Sequence, residues 1–466
     1  MWNCRVAVAR DDTASRECTK ARLSDARVLA IGLLLCVSSF AAVAAEPVPG
    51  RIAAQTGLEQ LTLRSAESYF VARNRELQLG QRLIEGAQAD RLAAAQRPNP
   101  NVSLNASPLN PHSGIGSGDW RDRQIGTIVG VQQLFERGGK RELRMELADQ
   151  NILASRGDYA EIQRQQKVAL HTAYYDLVAA QEKLRISSET AALYEKTIEA
   201  VERRLKAGDI ARTDVARIRV DALRAQNDAR TAQAEREKAR AMLAYIIGAE
   251  REAERINAID SWPEPGAAAP ALEIDAALAG RADVRAAQAR VAAADKNREL
   301  ARASRTRDIT GSAQFQHFPG DFSNNTFGFG VSVPLFINYN FEGEIRRAET
   351  ELQIARENFE RVRALALGEI AKSRADLDAA RERVRRFRDG LLAEAQKAAD
   401  GAEFAYSRGA IGVMDLLDAR RQLYATRLEA SGARTDYAKS LAAWEAAIAV
   451  AEIDAGAPVK SQPEPK

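Results

Sequence analysis

The chain has 466 residues, 28% of them charged and 6% aromatic, with Lys+Arg 67 against Asp+Glu 64 for a formal net charge of +3. The signs are interspersed and no basic block occurs, so the pattern reads as solvated helix surface and excludes nucleic acid as a partner. Ala, Glu, Arg, Leu and Lys dominate while Pro and Gly are confined to a few places, the composition of long helices rather than of ordinary globules.

Residues 28–40 (VLAIGLLLCVSSF) form an apolar run preceded by Arg22 and Arg27 and followed by Ala42-Val43-Ala44-Ala45. Charge, short apolar run and small-residue cleavage site are the parts of a secretory signal, assigned to residues 1–45. The run is too short to span a membrane as a helix. The region before it is unusually long for a signal, which fits a translation start downstream of Met1. Leu35 precedes Cys36 where a lipid-attachment site wants a small residue. Cys4, Cys18 and Cys36 all lie before the expected cut, so the mature chain has no thiol, disulfide or thiolate metal site. No later stretch of about 18 apolar residues occurs. The exported chain is therefore either soluble in the periplasm or inserted as β-strands.

The period predicts a helix over 63–95, stopped by Arg97-Pro98-Asn99-Pro100. Residues 101–107 alternate, with Val102, Leu104 and Ala106 on one phase and Asn101, Ser103, Asn105 and Ser107 on the other. A Gly/Pro/Ser/Asp loop fills 108–123 and a second strand 125–135. A helix without proline follows over 141–206, then a tight turn and another long helix. Residues 251–271, containing Trp262-Pro263-Glu264-Pro265-Gly266, read as a linker or small equatorial segment. The second half predicts a helix over 276–303, strands over 309–318 and 326–333 with a loop at 319–325, and a long helix over 343–407. Its tail, 455–466, reads as disordered.

The halves repeat one another at a spacing of 200 or 201 residues. Leu205-Lys206-Ala207-Gly208-Asp209-Ile210 returns as Tyr406-Ser407-Arg408-Gly409-Ala410-Ile411, Asp214-Val215 as Asp415-Leu416, and Asp176-Leu177 as Asp376-Leu377. Duplication of one long supersecondary unit is the organising fact, and the period is far above that of a solenoid. The units are 46–250 and 276–454, with 251–275 between them. Each long helix carries a seven-residue apolar stripe: Leu170, Leu177, Leu184 in one, Ile370, Leu377, Val384 in the other. Such a stripe is a coiled-coil seam.

Strands apolar on one phase and polar on the other fit a wall between lipid and water, with a soluble hairpin in each half as the bland alternative. Four short strands cannot close a barrel, and an open edge cannot sit in lipid. Three copies supply 12 strands and a water-filled lumen, whereas two supply 8, too tight for a duct. The expected fold is mostly α with a transmembrane β part: a trimeric 12-stranded β-barrel continuing into a periplasmic α-helical barrel.

The duplicated order, the turns, Arg281-Ala282-Asp283-Val284 and the Asn-Pro before the first strand resemble the TolC-like outer-membrane factor family. Gln133-Leu134-Phe135-Glu136-Arg137-Gly138-Gly139-Lys140-Arg141 and Pro334-Leu335-Phe336, followed by Tyr339-Asn340-Phe341-Glu342-Gly343, resemble its heavy-metal cation efflux subgroup of the cobalt–zinc–cadmium resistance type. The resemblance implies a homotrimeric exit duct in outer-membrane lipid. It would receive divalent heavy-metal cations from an inner-membrane RND-type antiporter through a periplasmic adaptor. A duct for drugs or type I secreted proteins is the alternative inside the family. A periplasmic coiled-coil adaptor or scaffold is the alternative outside it, disfavoured because an adaptor has one helical hairpin and a β-rich body.

Gly208 and Gly409 suit the left-handed residue that ends a helix. Thr213 is placed to cap the next helix and Asp214 to put negative charge at its start. The family's adaptor-docking turns imply contact by Lys206, Gly208, Arg408 and Gly409. In a trimer, Asp209, Asp214 and Asp415 would form acidic rings, a candidate periplasmic gate, with helix capping as the bland reading. His112, His171 and His317 show no ligand spacing and no metal site is expected. Gly138-Gly139-Lys140-Arg141 lacks the spacing of a phosphate loop. It reads as a strand-to-helix joint whose cations face lipid head groups or carbonyls. No catalytic constellation or cofactor fingerprint occurs, so no enzyme and no cofactor are expected.

Overall fold

The computed structural model describes residues 57–107, 126–266, 273–318 and 324–450. The signal region, most of both long strand-connecting loops and the tail lie outside the described residues. In the first half, helices α1 (Leu63–Arg73) and α2 (Arg75–Ala94) precede strands β1 (Asn101–Ser107) and β2 (Gly126–Phe135). The long helix α3 (Lys140–Ala207) and the returning helix α4 (Arg212–Ile247) follow. The second half repeats the order: α5 (Ile274–Gly280), α6 (Ala282–Ala303), β3 (Ile309–Phe318), β4 (Asn324–Ser332), α7 (Glu342–Arg386), α8 (Leu392–Ser407) and α9 (Val413–Ala447). At about 1.5 Å per residue α3, 68 residues long, runs about 100 Å.

Three sequence expectations need correction. The helix expected over 63–95 breaks at Asn74. Asn74 turns its backbone to an extended ψ of 129° and accepts the Leu77 N–H on its side-chain oxygen at 3.1 Å. The helix expected over 276–303 begins at Ile274 and breaks at Arg281. The helix expected over 343–407 is interrupted by a π-helical turn, Phe387–Leu391, at Gly390, and such turns take up an extra residue without ending the helix.

The two breaks occupy equivalent places and do equivalent work. Asn74 Nδ2 donates to the Ile246 carbonyl at 2.9 Å, in the last turn of α4. Arg281 Nη1 donates to the Ala447 carbonyl at 3.0 Å, the last residue of α9. Helix C-termini leave carbonyls without intrahelical partners, and each half satisfies one from the kink of its own first helix pair. Arg281 is 0% exposed. Its guanidinium also holds Asp283 (3.0 and 2.8 Å) and Glu369 (2.7 Å). Glu369 in turn accepts from Arg164 on α3 at 2.8 Å, and Arg164 holds Glu161. One chain of charges thus ties α3 of the first half to α6, α7 and α9 of the second.

Around the Asn74 clamp sits the largest described core, built from Leu61, Phe70, Leu170, Tyr174, Leu177, Leu243, Ile247 and Ile256, while Leu278, Val284, Ile370 and Ala447 form a second core around Arg281. The segment after α4 makes a 3-10 turn over Glu250–Arg255 and then pairs with the first half, Leu61 facing Ala258 in parallel. Asp260 accepts the Leu63 N–H at 2.5 Å and the Tyr174 hydroxyl at 2.9 Å. Trp262 stacks on Tyr175 and donates to Glu182 at 2.9 Å. The equatorial segment is therefore a strap pinned to α3.

The four strands form one antiparallel sheet in the order β1-β2-β3-β4. Its register sorts most side chains, Ile128 and Leu134 falling on the polar face and Gln133 and His317 on the apolar one. Leu104 faces Val129, Val129 faces Phe315 and Phe315 faces Phe327, with Val102, Val131, Ala313 and Phe329 in the next row. Ser103, Gly130, Gln314 and Gly328 share the opposite face, beside Asn101, Gln132, Ser312 and Gly330. The apolar face is open, Leu104 being 73% and Phe329 87% exposed. The outer edges of β1 and β4 pair with nothing among the described residues.

Lys140 and Arg141 face protein groups. Lys140 Nζ bonds Asp308 and the Thr306 carbonyl, and Arg141 Nε the Ala95 carbonyl at 2.6 Å. The carbonyl half of the expectation for these two cations is what the structure contains.

The charge chain makes stability sensitive to acid. Burial raises the Asp283 carboxyl, but the bonds from Arg281 outweigh it and hold the group below its ordinary 3.8. Burial likewise raises Glu369, and Arg164 and Arg281 bring it below 4.5. Depressed carboxylates stabilise the fold above their unfolded values, and that contribution is lost as pH falls through the folded ones. Thermal melts of the purified protein should therefore lose stability in acid more steeply in the parent than in Glu369→Gln. Arg281→Met, which strands a buried acceptor and two carboxylates, should cost about 3 kcal/mol at neutral pH.

Candidate functional site

The end of the molecule far from the sheet holds the two turns marked by the sequence. Gly208 closes α3 with φ 83°. Asp209 N–H reaches back to the Arg204 carbonyl at 2.9 Å and Gly208 N–H to Leu205 at 3.1 Å. The second turn copies it: Gly409 has φ 72°, with Ala410 N–H on the Ala405 carbonyl at 2.9 Å and Gly409 N–H on Tyr406 at 3.0 Å. A Cβ at either glycine would meet nothing within 4 Å. The positive φ alone is what requires glycine there.

The structure brings the turns together. Val201, Val215 and Ile218 of the first hairpin pack with Val413 and Leu417 of the second, joined by Leu205, Ile210, Tyr406 and Met414. Arg204 lies over the Tyr406 ring, 5.5 Å from its centre, and donates to its hydroxyl at 2.8 Å. Lys206, Asp209 and Arg408 are exposed on the surface of the pair, Arg408 resting over Phe404 at 5.2 Å.

The cap assignment changes. Ala211 is the N-cap of α4 and makes no side-chain cap bond, so Thr213 lies inside the first turn rather than at its cap. Asp214 does sit in that first turn, 4.0 Å from Arg217. Asp415 accepts the Gly412 N–H at 3.2 Å, reaching back to the start of α9. Among the described residues none of Asp209, Asp214 and Asp415 bonds the other hairpin; their geometry within one chain is that of helix ends.

Ties between the hairpins come from residues that sequence reasoning missed. Asp221 on α4, with 8% of its side chain exposed, pairs with Arg421 on α9. Arg420, Arg427 and Arg434 recur every seventh residue along α9. Arg434 meets Glu182 at 3.0 Å, Arg427 lies 3.9 Å from Glu189, and Arg420 reaches the Thr197 hydroxyl at 3.1 Å. Lys439 holds Asp176 at 2.5 Å. Arg420, which meets a hydroxyl on the first hairpin, lies beside Arg421 and its close carboxylate partner Asp221. The seven-residue spacing of Arg420, Arg427 and Arg434 was readable in the sequence; their partners, more than 220 residues away, were not.

Among the described residues no group of three or more His, Cys, Asp or Glu is arranged to hold a metal ion. His171 bonds Glu67 at 2.8 Å and His317 bonds Asn325 at 2.8 Å; His112 lies outside the described residues. No described helix is long and apolar enough to cross a membrane.

Comparison with known proteins follows the same architecture. Residues 69–249 and 274–450, one stretch in each half, match the family described as outer membrane efflux protein. The cobalt-zinc-cadmium resistance protein CzcC of Cupriavidus metallidurans is 22% identical over 385 residues, covering 80% of this chain and 86% of that relative. The outer-membrane channel OprN superposes with a TM-score of 0.71 at 21% identity, covering 84% of this chain and 90% of OprN. The open state of the Neisseria gonorrhoeae MtrE outer membrane channel gives 0.68 at 20% identity, over 83% of this chain and 88% of MtrE. With both halves of the duplication matched, the chain belongs to the outer membrane efflux protein family, a TolC-like protein of the outer membrane with a periplasmic helical extension.

Proposed function

We propose that three copies of this chain close a 12-stranded barrel and form the exit duct of a tripartite efflux system, with divalent heavy-metal cations as substrate. The observation that carries the reading is the sheet: one apolar face, one polar face and two open edges above helices about 100 Å long. Lipid on the apolar face requires both edges to be paired, and a copy on each side does so. The metal reading is supported by the likeness to CzcC and by the two strand-to-helix joints. In this reading an inner-membrane RND-type antiporter and a periplasmic adaptor load the duct. Lys206, Gly208, Arg408 and Gly409 meet the adaptor, and Asp209, Asp214 and Asp415 line the narrow end.

Light scattering in detergent should give the mass of three chains; a stable monomer would remove the barrel argument. Deleting the gene should sensitise cells to cobalt, zinc or cadmium without changing drug tolerance, the reverse result pointing to the drug duct. Replacing Gly208 or Gly409 by Val should strain each turn by about 1–2 kcal/mol, too little to unfold the bundle. Efflux should stop while the trimer persists. Combined Asp209→Asn, Asp214→Asn and Asp415→Asn should change cation conductance of the purified pore in a bilayer. The Asp214 change alone should cost about 0.3–1 kcal/mol as a helix-end charge. Unaltered conductance and metal tolerance in the triple variant would leave these three as helix-end groups.

A further inference from the structure

The two strand-to-helix joints hold equivalent places but are chemically unlike. In the first, Gly139 precedes α3 with φ 67°, a conformation free to glycine. In the second, Phe341 precedes α7 with φ 59°, and it is the one non-glycine residue with positive φ among those described. A bulky side chain in the left-handed region is strained, and the fold keeps it where its own duplicate uses glycine. The Phe341 ring packs 5.1 Å from Phe336 and 5.0 Å from Tyr339. That cluster underlies a loop whose apolar side chains face outward: Leu335 is 69% and Ile337 80% exposed. Cations ring it. Arg307 lies over Phe336 at 5.7 Å and Arg305 donates to the Asn340 carbonyl at 3.2 Å.

The loop also has a definite height. β4 ends where β2 ends and β3 begins, since Thr310 faces Ser332 and Phe135 faces Ile309. It therefore continues the apolar face of the sheet, through Val331 and Val333, at the end where the helices start. Exposed aromatic and aliphatic side chains beside arginines suit the boundary between acyl chains and phosphate head groups. The first joint presents Arg137, Gly138 and Gly139 instead, with Lys140 bound inward to Asp308.

We propose that the loop from Val333 to Phe341 is a lipid anchor that inserts into the head-group boundary of the inner leaflet of the outer membrane. Phe341 accepts a strained backbone to hold the anchor's ring cluster together. The duplicated joint at Gly139 does not insert, so in a closed assembly inserted and uninserted joints alternate around the barrel.

Ile337→Trp on the loop and Glu142→Trp in the first turn of α3, just past the other joint, can be read in the full chain reconstituted into phosphatidylethanolamine–phosphatidylglycerol vesicles, with the parent's tryptophan signal subtracted. Trp at 337 should be quenched by lipids brominated near the head group more than by aqueous iodide, and Trp at 142 by iodide more than by lipid. Adding Phe341→Gly, whose backbone suits glycine, should leave the oligomer intact and cut lipid quenching at 337 by about half. Quenching of position 337 by iodide alone would overturn the anchor. Protection from both quenchers would overturn it in favour of a covering neighbour copy. Equal lipid quenching at 142 would overturn the asymmetry, and unchanged quenching in Phe341→Gly would overturn the role of the strain.

Discussion

Two unpaired sheet edges govern this molecule. Each backbone N–H and C=O left without a partner in hydrocarbon costs several kcal/mol, and β1 and β4 each carry a row of them. Within one chain nothing described covers either edge. The proposed closure by further copies follows from that cost, and so does the duplication. A unit with two strands and one helical hairpin offers the same connection twice, so each chain spans two steps around a ring. The register does the remaining sorting. Alternation places Val102, Val131, Ala313 and Phe329 on one face and mostly Asn, Ser, Gln and Gly on the other, with Ile128 and Leu134 the exceptions in β2.

Below the sheet, the constraint passes to the equatorial clamps. Long helices bound only by apolar stripes can slide, because a seven-residue seam repeats itself. Asn74 and Arg281 remove that freedom by bonding one specific carbonyl at the end of α4 and of α9. The second clamp uses a guanidinium where the first uses an amide. The larger group reaches Glu369 and through it Arg164, so the second half is locked to the first as well as to itself. A neutral amide could not make that link.

The strands and long helices were legible because their signals are local. β1 and β3 begin and end where alternation begins and ends, and the prolines before β1 mark its start. Gly208 and Gly409 were legible because a left-handed residue at a helix end is a backbone requirement that only a few residue types meet. The break at Asn74 was written in a residue type suited to an N-cap, but the apolar period runs through it and the period won. The break at Arg281 follows Gly280, yet its cause is a buried guanidinium with partners 88 and 166 residues away. Such contacts exist only once the fold does. The same holds for Asp221 with Arg421. Asp209, Asp214 and Asp415 stand nearest the turns, whereas the inter-hairpin tie of Asp221 to Arg421 lies about two helical turns further in.

The distribution of charge separates what the two ends can do. The described strand residues include no Asp, Glu, Lys or Arg on either face. A wall mostly of amide, hydroxyl and glycine groups, with Ile128 and Leu134 among them, favours neither cation nor anion. In a wide aqueous lumen a fixed charge acts over about 8 Å at physiological ionic strength. The described wall carries none, so discrimination by charge has to arise elsewhere. Fixed charges gather along the helices and at the turns, where a narrowing would bring them within that distance of a passing ion. The inter-hairpin contacts nearest the turns, Arg420 with Thr197 and Arg204 with Tyr406, join charge to neutral hydroxyl and ring. Next to them the Asp221 carboxylate, 8% exposed, pairs with Arg421, so a buried ion pair also holds the hairpins together close to the turns. The equator is clamped as well, with Arg281 fully buried among its partners.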